Sequence, residues 1–270
     1  MGFNALFRII IFPALVPMRP VLSRRRLQKI YRAALAARRN PRFRGKSKRA
    51  VALCVVASQM PWIERACRHF ALVTRHKFYV FIYCAYAGHP WRGFMHDWSK
   101  YSPAEFFASV KYFNGRRSPV GLCREIEGYS FAWLHHKGRN RHHFEFWTDV
   151  IDAFGTAAPK YGQWYPIAMP YEYALESICD TIAASRAYNG RNFSYEILYQ
   201  WWQRRQRVPV NMHPETKRFA DAMYEAMRKD GNCSALKRAR EIFEQAKKEQ
   251  RSYEQAKKEQ RSLDEIPANA

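Results

Sequence analysis

From Pro61 onward the alternation of apolar and polar positions reads as a succession of helices. Residues 63–87, IERACRHFALVTRHKFYVFIYCAYA, make a long apolar stretch that Gly88 stops. A short segment over 91–99 follows. Ser102, Pro103 and Glu105 then mark a helix start. Serine caps exposed N–H groups, proline suits a first turn, and a glutamate three residues on completes a capping box. That helix ends at the turn signal Asn114-Gly115. Residues 122–137 predict another helix, interrupted near Gly138, with 142–154 as its sequel. Residues 155–170, GTAAPKYGQWYPIAMP, hold three prolines and two glycines and predict a loop suited to the mouth of a pocket. Pro170 opens a helix through Tyr188 that Asn189-Gly190 stops, and helices over about 194–206 and 214–229 follow. No segment shows sustained strand alternation, so the fold class is all-α.

The tail repeats itself. Residues 243–252 read FEQAKKEQRS and residues 253–262 read YEQAKKEQRS. These are strong helix formers with charge on most faces, and a ten-residue period is not a heptad, so a solvated helical extension is expected. The organisation that results is a basic arm over 1–62, a helical domain over 63–230 and a charged helical tail over 231–270.

Composition changes this picture in two places. The formal charge is +23, yet residues 1–63 alone hold fourteen Lys or Arg and no Asp or Glu. The basicity is therefore partly a property of the arm. Four readings of it stay open: an organellar transit segment, a membrane-surface helix, a nucleic-acid-binding arm, or a start codon set too far upstream. The six cysteines are scattered with no C-x-x-C, which excludes a thiolate zinc motif and fits a reducing, cytoplasmic setting with an organelle as the alternative. No stretch reaches the roughly 20 apolar residues that span a bilayer.

The candidate chemistry lies in histidines and aspartates on separate helices: His76, His96-Asp97, His136, His142-His143 and Asp180. Imidazole and carboxylate together suit Mg, Mn, Fe or Zn, bound as one or two divalent ions. Adjacent side chains on a helix diverge by about 100°, so His96-Asp97 works best at a helix end. His76 and Asp180 complete a first metal site, and His136 with His142 or His143 serves a second, one of the last two pointing away. His135 is set aside in favour of His136. Lys100 and Arg139, in basic surroundings, would contact an anionic phosphate, with Asp97 and Lys100 as the catalytic pair. His69 and His89 are read as structural, His213 as a cap, Glu105 as the capping partner of Ser102, and Trp91, Trp98, Trp133 and Trp147 as core. Asp180, in the apolar run LESICDTIAA, needs a metal or a cation such as Arg186.

These residues carry a resemblance. His76, His96-Asp97 and Asp180 resemble the H…HD…D pattern of the HD superfamily of helical metal-dependent phosphohydrolases. His96-Asp97-Trp98-Ser99-Lys100 is similar to its H-D-x-x-K form. The extra histidines resemble its bimetallic branches, which include phosphodiesterases and a few di-iron oxygenases. The stretches HDWSKYSPAEFFASVKYFNG (96–115), AWLHHKGRNRHHFEFW (132–147) and MPYEYALESICDTIAASRAYNG (169–190) look more closely like an uncharacterised family of bacteria and phages. The resemblance implies an HD-domain-like helical bundle that hydrolyses a phosphorylated small molecule or nucleotide. Two other classes stay open: a di-iron oxygenase on the same ligands, and a non-enzymatic basic module binding nucleic acid or an acidic partner.

Overall fold

Serine caps and proline starts set most helix boundaries in the computed structural model, which describes residues 24–150, 164–207 and 210–264. In chain order the helices are α1 (Arg24–Ala37), α2 (Lys48–Ser58), α3 (Trp62–Tyr86), α4 (Pro90–Met95), α5 (Pro103–Tyr112), α6 (Pro119–Glu127) and α7 (Phe131–Arg139). A short antiparallel pair, β1 (Thr148–Val150) and β2 (Trp164–Pro166), precedes α8 (Tyr171–Asn189), α9 (Tyr195–Arg205), α10 (Pro214–Asp230) and α11 (Ala239–Asp264). Ser47, Ser102, Ser118 and Ser194 each accept a bond from a first-turn N–H of α2, α5, α6 and α9. His213 does the same for α10, as its place before Pro214 suggests. The architecture is all-α. No described helix is long and apolar enough to cross a membrane.

The chain divides into two compact units, Met1–Arg75 with Ser99–His136, and His76–Trp98 with Lys137–Ala270. In the first unit, Ile30 and Ala34 of α1 form a cluster with Val55 and Val56 of α2. Ala50 and Leu53 of α2 join Tyr112, Leu122 and Ile126. Much of the stretch assigned to a basic arm is therefore ordered helix. Its positive charge hid an apolar face that is sufficient to pack. Residues 1–23 lie outside the described residues.

The core of the second unit gathers α8, α9, α10 and α11 around Leu175, Ile178, Ile182, Leu198, Phe219, Met223 and Leu236. The first copy of the tail repeat contributes Phe243 and Ala246 to this core, whereas Tyr253, the equivalent of Phe243 in the second copy, is 54% exposed.

Three expectations change. Residues 122–137 form two helices, because Gly128 takes φ 88°, ends α6 as a left-handed cap, and leaves Ser130 to start α7 anew. Residues 142–150, the described part of that expected helix, are not α-helical: a 3₁₀ turn at Phe144–Phe146 runs into β1, which pairs with β2 inside the expected loop. Residues 151–163 lie outside the described residues. Trp91 and Trp98, expected in the core, are 71% and 50% exposed.

His69 in the first unit is buried against Phe106 and Phe113, with ring centroids 5.2 and 5.4 Å away. Its Nδ1 has no hydrogen-bond partner among the described residues, and the two phenyl rings pack against it. Burial, and then the charge of Lys100, push its pKa down from 6.5 to about 4. A group depressed in the folded state costs nothing above its unfolded pKa. As pH falls from 6.5 to about 4 the unfolded chain takes up the proton first, and stability drops. His69→Leu is expected to flatten that part of the stability–pH curve. Urea titrations of both proteins between pH 8 and pH 4.5 measure it, and parallel curves would refute it.

Candidate metal centre

The second unit brings His76 from α3, His96-Asp97 from the end of α4, and Asp180 from α8 to one place. One donor atom from each lies within 4.8 Å of all the others. His96 is the C-cap of α4, and the chain then turns sharply: Asp97 has φ 52°, the one non-glycine residue with positive φ among those described. The helix has ended, so the roughly 100° divergence between neighbours no longer applies. Both side chains reach the same point, with His96 Nε2 3.0 Å from Asp97 Oδ2. Lys77 fixes this turn from α3. Its ammonium donates to the carbonyls of Phe94 (3.2 Å) and His96 and lies 4.0 Å over the Trp98 ring.

Asp180 Oδ1 is 3.0 Å from His76 Nε2 and 3.5 Å from His96 Nε2. Two donors each about 2.1 Å from one ion are about 3.0 Å apart at a right angle and about 3.4 Å apart at a tetrahedral angle. The observed separations would suit one shared ion, as they suit ion pairs. His96 Nε2 makes no hydrogen bond, although Asp97 Oδ2 is so close. This pair is close without being aimed as donor and acceptor, and two imidazoles with two carboxylates could hold a divalent ion. Arg186, the other cation proposed for Asp180, donates to Tyr83 Oη at 2.8 Å.

His142 and His143 follow the end of α7 in a turn, so they too escape helical divergence. Neither points away, as one was expected to: both present a donor with Asp97 within 4.8 Å. His142 Nε2 is 3.5 Å from Asp97 Oδ1 and 3.9 Å from Asp180 Oδ2. His136 and Lys100 belong to the first unit. There His136 Nδ1 lies 2.8 Å from Glu105 Oε2, and His135 Nδ1 lies 2.7 Å from Glu105 Oε1. Glu105 is therefore more than a capping residue: its N–H meets Ser102 Oγ while its buried carboxylate takes both imidazoles.

The sequence reading missed Glu176. Its Oε1 lies 2.9 Å from His96 Nδ1 and 3.2 Å from His142 Nδ1, and its Oε2 accepts from Arg92 Nη1 at 2.9 Å. The available signal was spacing: Glu176 precedes Asp180 by four residues, one helical turn, and so shares its face of α8. Burial pushes the Glu176 pKa up, but the bonds from His142 and His96 outweigh it and hold the carboxyl well below its usual range. For His96 burial opposes protonation, and the Asp97 charge with the polar contacts to Asp180 and Glu176 outweighs it, raising the pKa well above 6.5. A metal bound at this nitrogen would have to displace that proton.

Beside the centre lies a cavity of about 590 Å³, with Asp97, His142 and Glu176 in its wall and Arg92, Arg139 and Arg141 around it. Trp91 and Tyr173 add aromatic faces. Arg141 donates to Tyr173 Oη at 3.3 Å.

A family of unknown function, DUF5662, matches residues 65–226. The chain belongs to this family. No curated protein and no solved structure matches it. Every donor of the centre lies inside the DUF5662 span, whereas α1, α2 and the tandem repeat of α11 lie outside it.

Proposed function

We propose that this DUF5662 chain is a divalent-metal-dependent phosphohydrolase of HD-like type, acting on a phosphate ester or nucleotide. The observation that supports the reading is the convergence of His76, His96, Asp97 and Asp180 beside an arginine-lined cavity. These four residues would hold one ion, and Mn, Fe, Mg and Zn all accept such a nitrogen and oxygen set. An ion bound there supplies Lewis acidity toward a phosphoryl oxygen and a more acidic water. The chain itself supplies the rest. Arg139 and Arg141 line the cavity and would draw in and orient the phosphate, since guanidinium pairs well with phosphoryl oxygens. Trp91 and Tyr173 offer apolar walls for the esterified group. His142 and His143 stand beside Asp97, where they would serve a second ion or orient the substrate.

The test is elemental analysis of tag-free protein, followed by phosphate release from phosphomonoesters, phosphodiesters and nucleotides with each metal. Metal-dependent release is expected. Arg141→Ala should raise KM about ten-fold with metal content unchanged, the loss expected from one charged hydrogen bond. Protein that holds no metal after reconstitution overturns the reading. An iron pair whose absorption responds to oxygen would replace it with an oxygenase.

A further inference from the structure

We propose that Glu176 is a positioning residue that decides, for His96 and His142 together, which ring nitrogen faces the metal. The inference rests on the metal reading above. A carboxylate can only accept, and one oxygen of Glu176 lies 2.9 Å from His96 Nδ1 and 3.2 Å from His142 Nδ1. Both rings therefore carry their proton on Nδ1, which leaves Nε2 as the coordinating nitrogen. Those Nε2 atoms face Asp97 and Asp180, at 3.0 and 3.5 Å for His96 and at 3.5 and 3.9 Å for His142. Opposite anionic oxygens, Nε2 carries a second proton or, once that proton has left, offers its lone pair to a cation lying between them. The rings thus have a carboxylate on one edge and a cation site on the other, the arrangement by which a carboxylate orients an imidazole and strengthens it as a ligand.

Glu176 could instead be read as a ligand itself, because it groups with His96 and His142 on the Nδ1 edge. Arg92 argues against that. Its guanidinium donates to the other Glu176 oxygen at 2.9 Å and is braced 4.5 Å over the Tyr173 ring. An ion on that edge would meet a fixed positive charge, whereas on the opposite edge it meets two further carboxylates. One buried glutamate, held by one arginine, thereby sets two histidines in register.

The experiment uses the full chain loaded with Co(II), which reports its own coordination. Wild type should bind Co(II) and show two slowly exchanging, paramagnetically shifted imidazole N–H protons. Glu176→Gln should weaken Co(II) binding about 10- to 100-fold, speed the exchange of both N–H signals and move the visible bands. Glu176→Asp keeps the charge on a side chain one methylene shorter. It should recover part of the affinity with the wild-type bands, and it serves as the test if the Gln variant does not fold. Affinity and spectrum unchanged in the variants would overturn the role of Glu176 and leave the metal reading standing. Band shifts in Glu176→Asp that show a lost direct ligand would overturn positioning in favour of coordination. No Co(II) binding by wild type would overturn the metal reading and this inference with it.

Discussion

Asp97→Ala should abolish metal binding and, on the proposed function, phosphoester turnover with it. Its two carboxylate oxygens lie 3.0 Å from His96 Nε2 and 3.5 Å from His142 Nε2, and it belongs both to the group with His76, His96 and Asp180 and to the group with His142 and His143. Metal affinity should fall by more than about a hundred-fold, because losing a group that only orients a ligand already costs 10- to 100-fold. The backbone sharpens the test. At φ 52° an L-residue carries roughly 1–2 kcal/mol of strain that glycine does not. Asp97→Ala keeps the strain and Asp97→Gly relieves it. Both variants should lack metal, while the glycine variant should be the more stable by about 1 kcal/mol. Elemental analysis and urea unfolding of the pair measure the two effects. An alanine variant that keeps its metal would remove Asp97 from the centre.

Gly93→Ala should destabilise the protein and weaken metal binding. In most helices this change is favourable by up to about 1 kcal/mol. Here a Cβ on Gly93 would stand 2.7 Å from Cys84 Cβ and 2.8 Å from Phe81 Cα. The second of these belongs to the α3 backbone, which cannot turn aside as a side chain can. The short α4 must lift instead, at a cost of about 1–3 kcal/mol. It would carry His96, its own C-cap, away from His76 on α3. Denaturation and metal titration of the variant should show both losses. Unchanged stability with unchanged affinity would mean that α4 adapts without moving the centre.

How much of this was legible in the sequence differs by residue. Helix starts were legible where a serine or a proline announced them, as at Ser102-Pro103 and Pro214. The split at Gly128 was not, because a lone glycine inside an apolar run reads as tolerated until its φ is known. Nor was the pairing of β1 with β2, since three-residue strands carry no period to detect. His76, His96, Asp97 and Asp180 stood out through the H…HD…D resemblance. Glu176 did not, because a glutamate one turn before Asp180 looks like any solvated acid until its burial is seen. Charge misled at residues 24–58, where arginines hid the apolar faces of α1 and α2.

The tandem repeat shows how position governs the fate of equivalent residues. Ten residues advance a helix by 1000° at about 100° each, two full turns plus roughly 280°. The second copy therefore presents its aromatic residue about 80° around the axis from the first, and about 15 Å further along. Phe243 is seated in the core while Tyr253 looks outward. A lengthening of α11 by further ten-residue units would wind the aromatic positions into a left-handed spiral around the helix. Such growth could lengthen the tail indefinitely without ever building a second seam to pack.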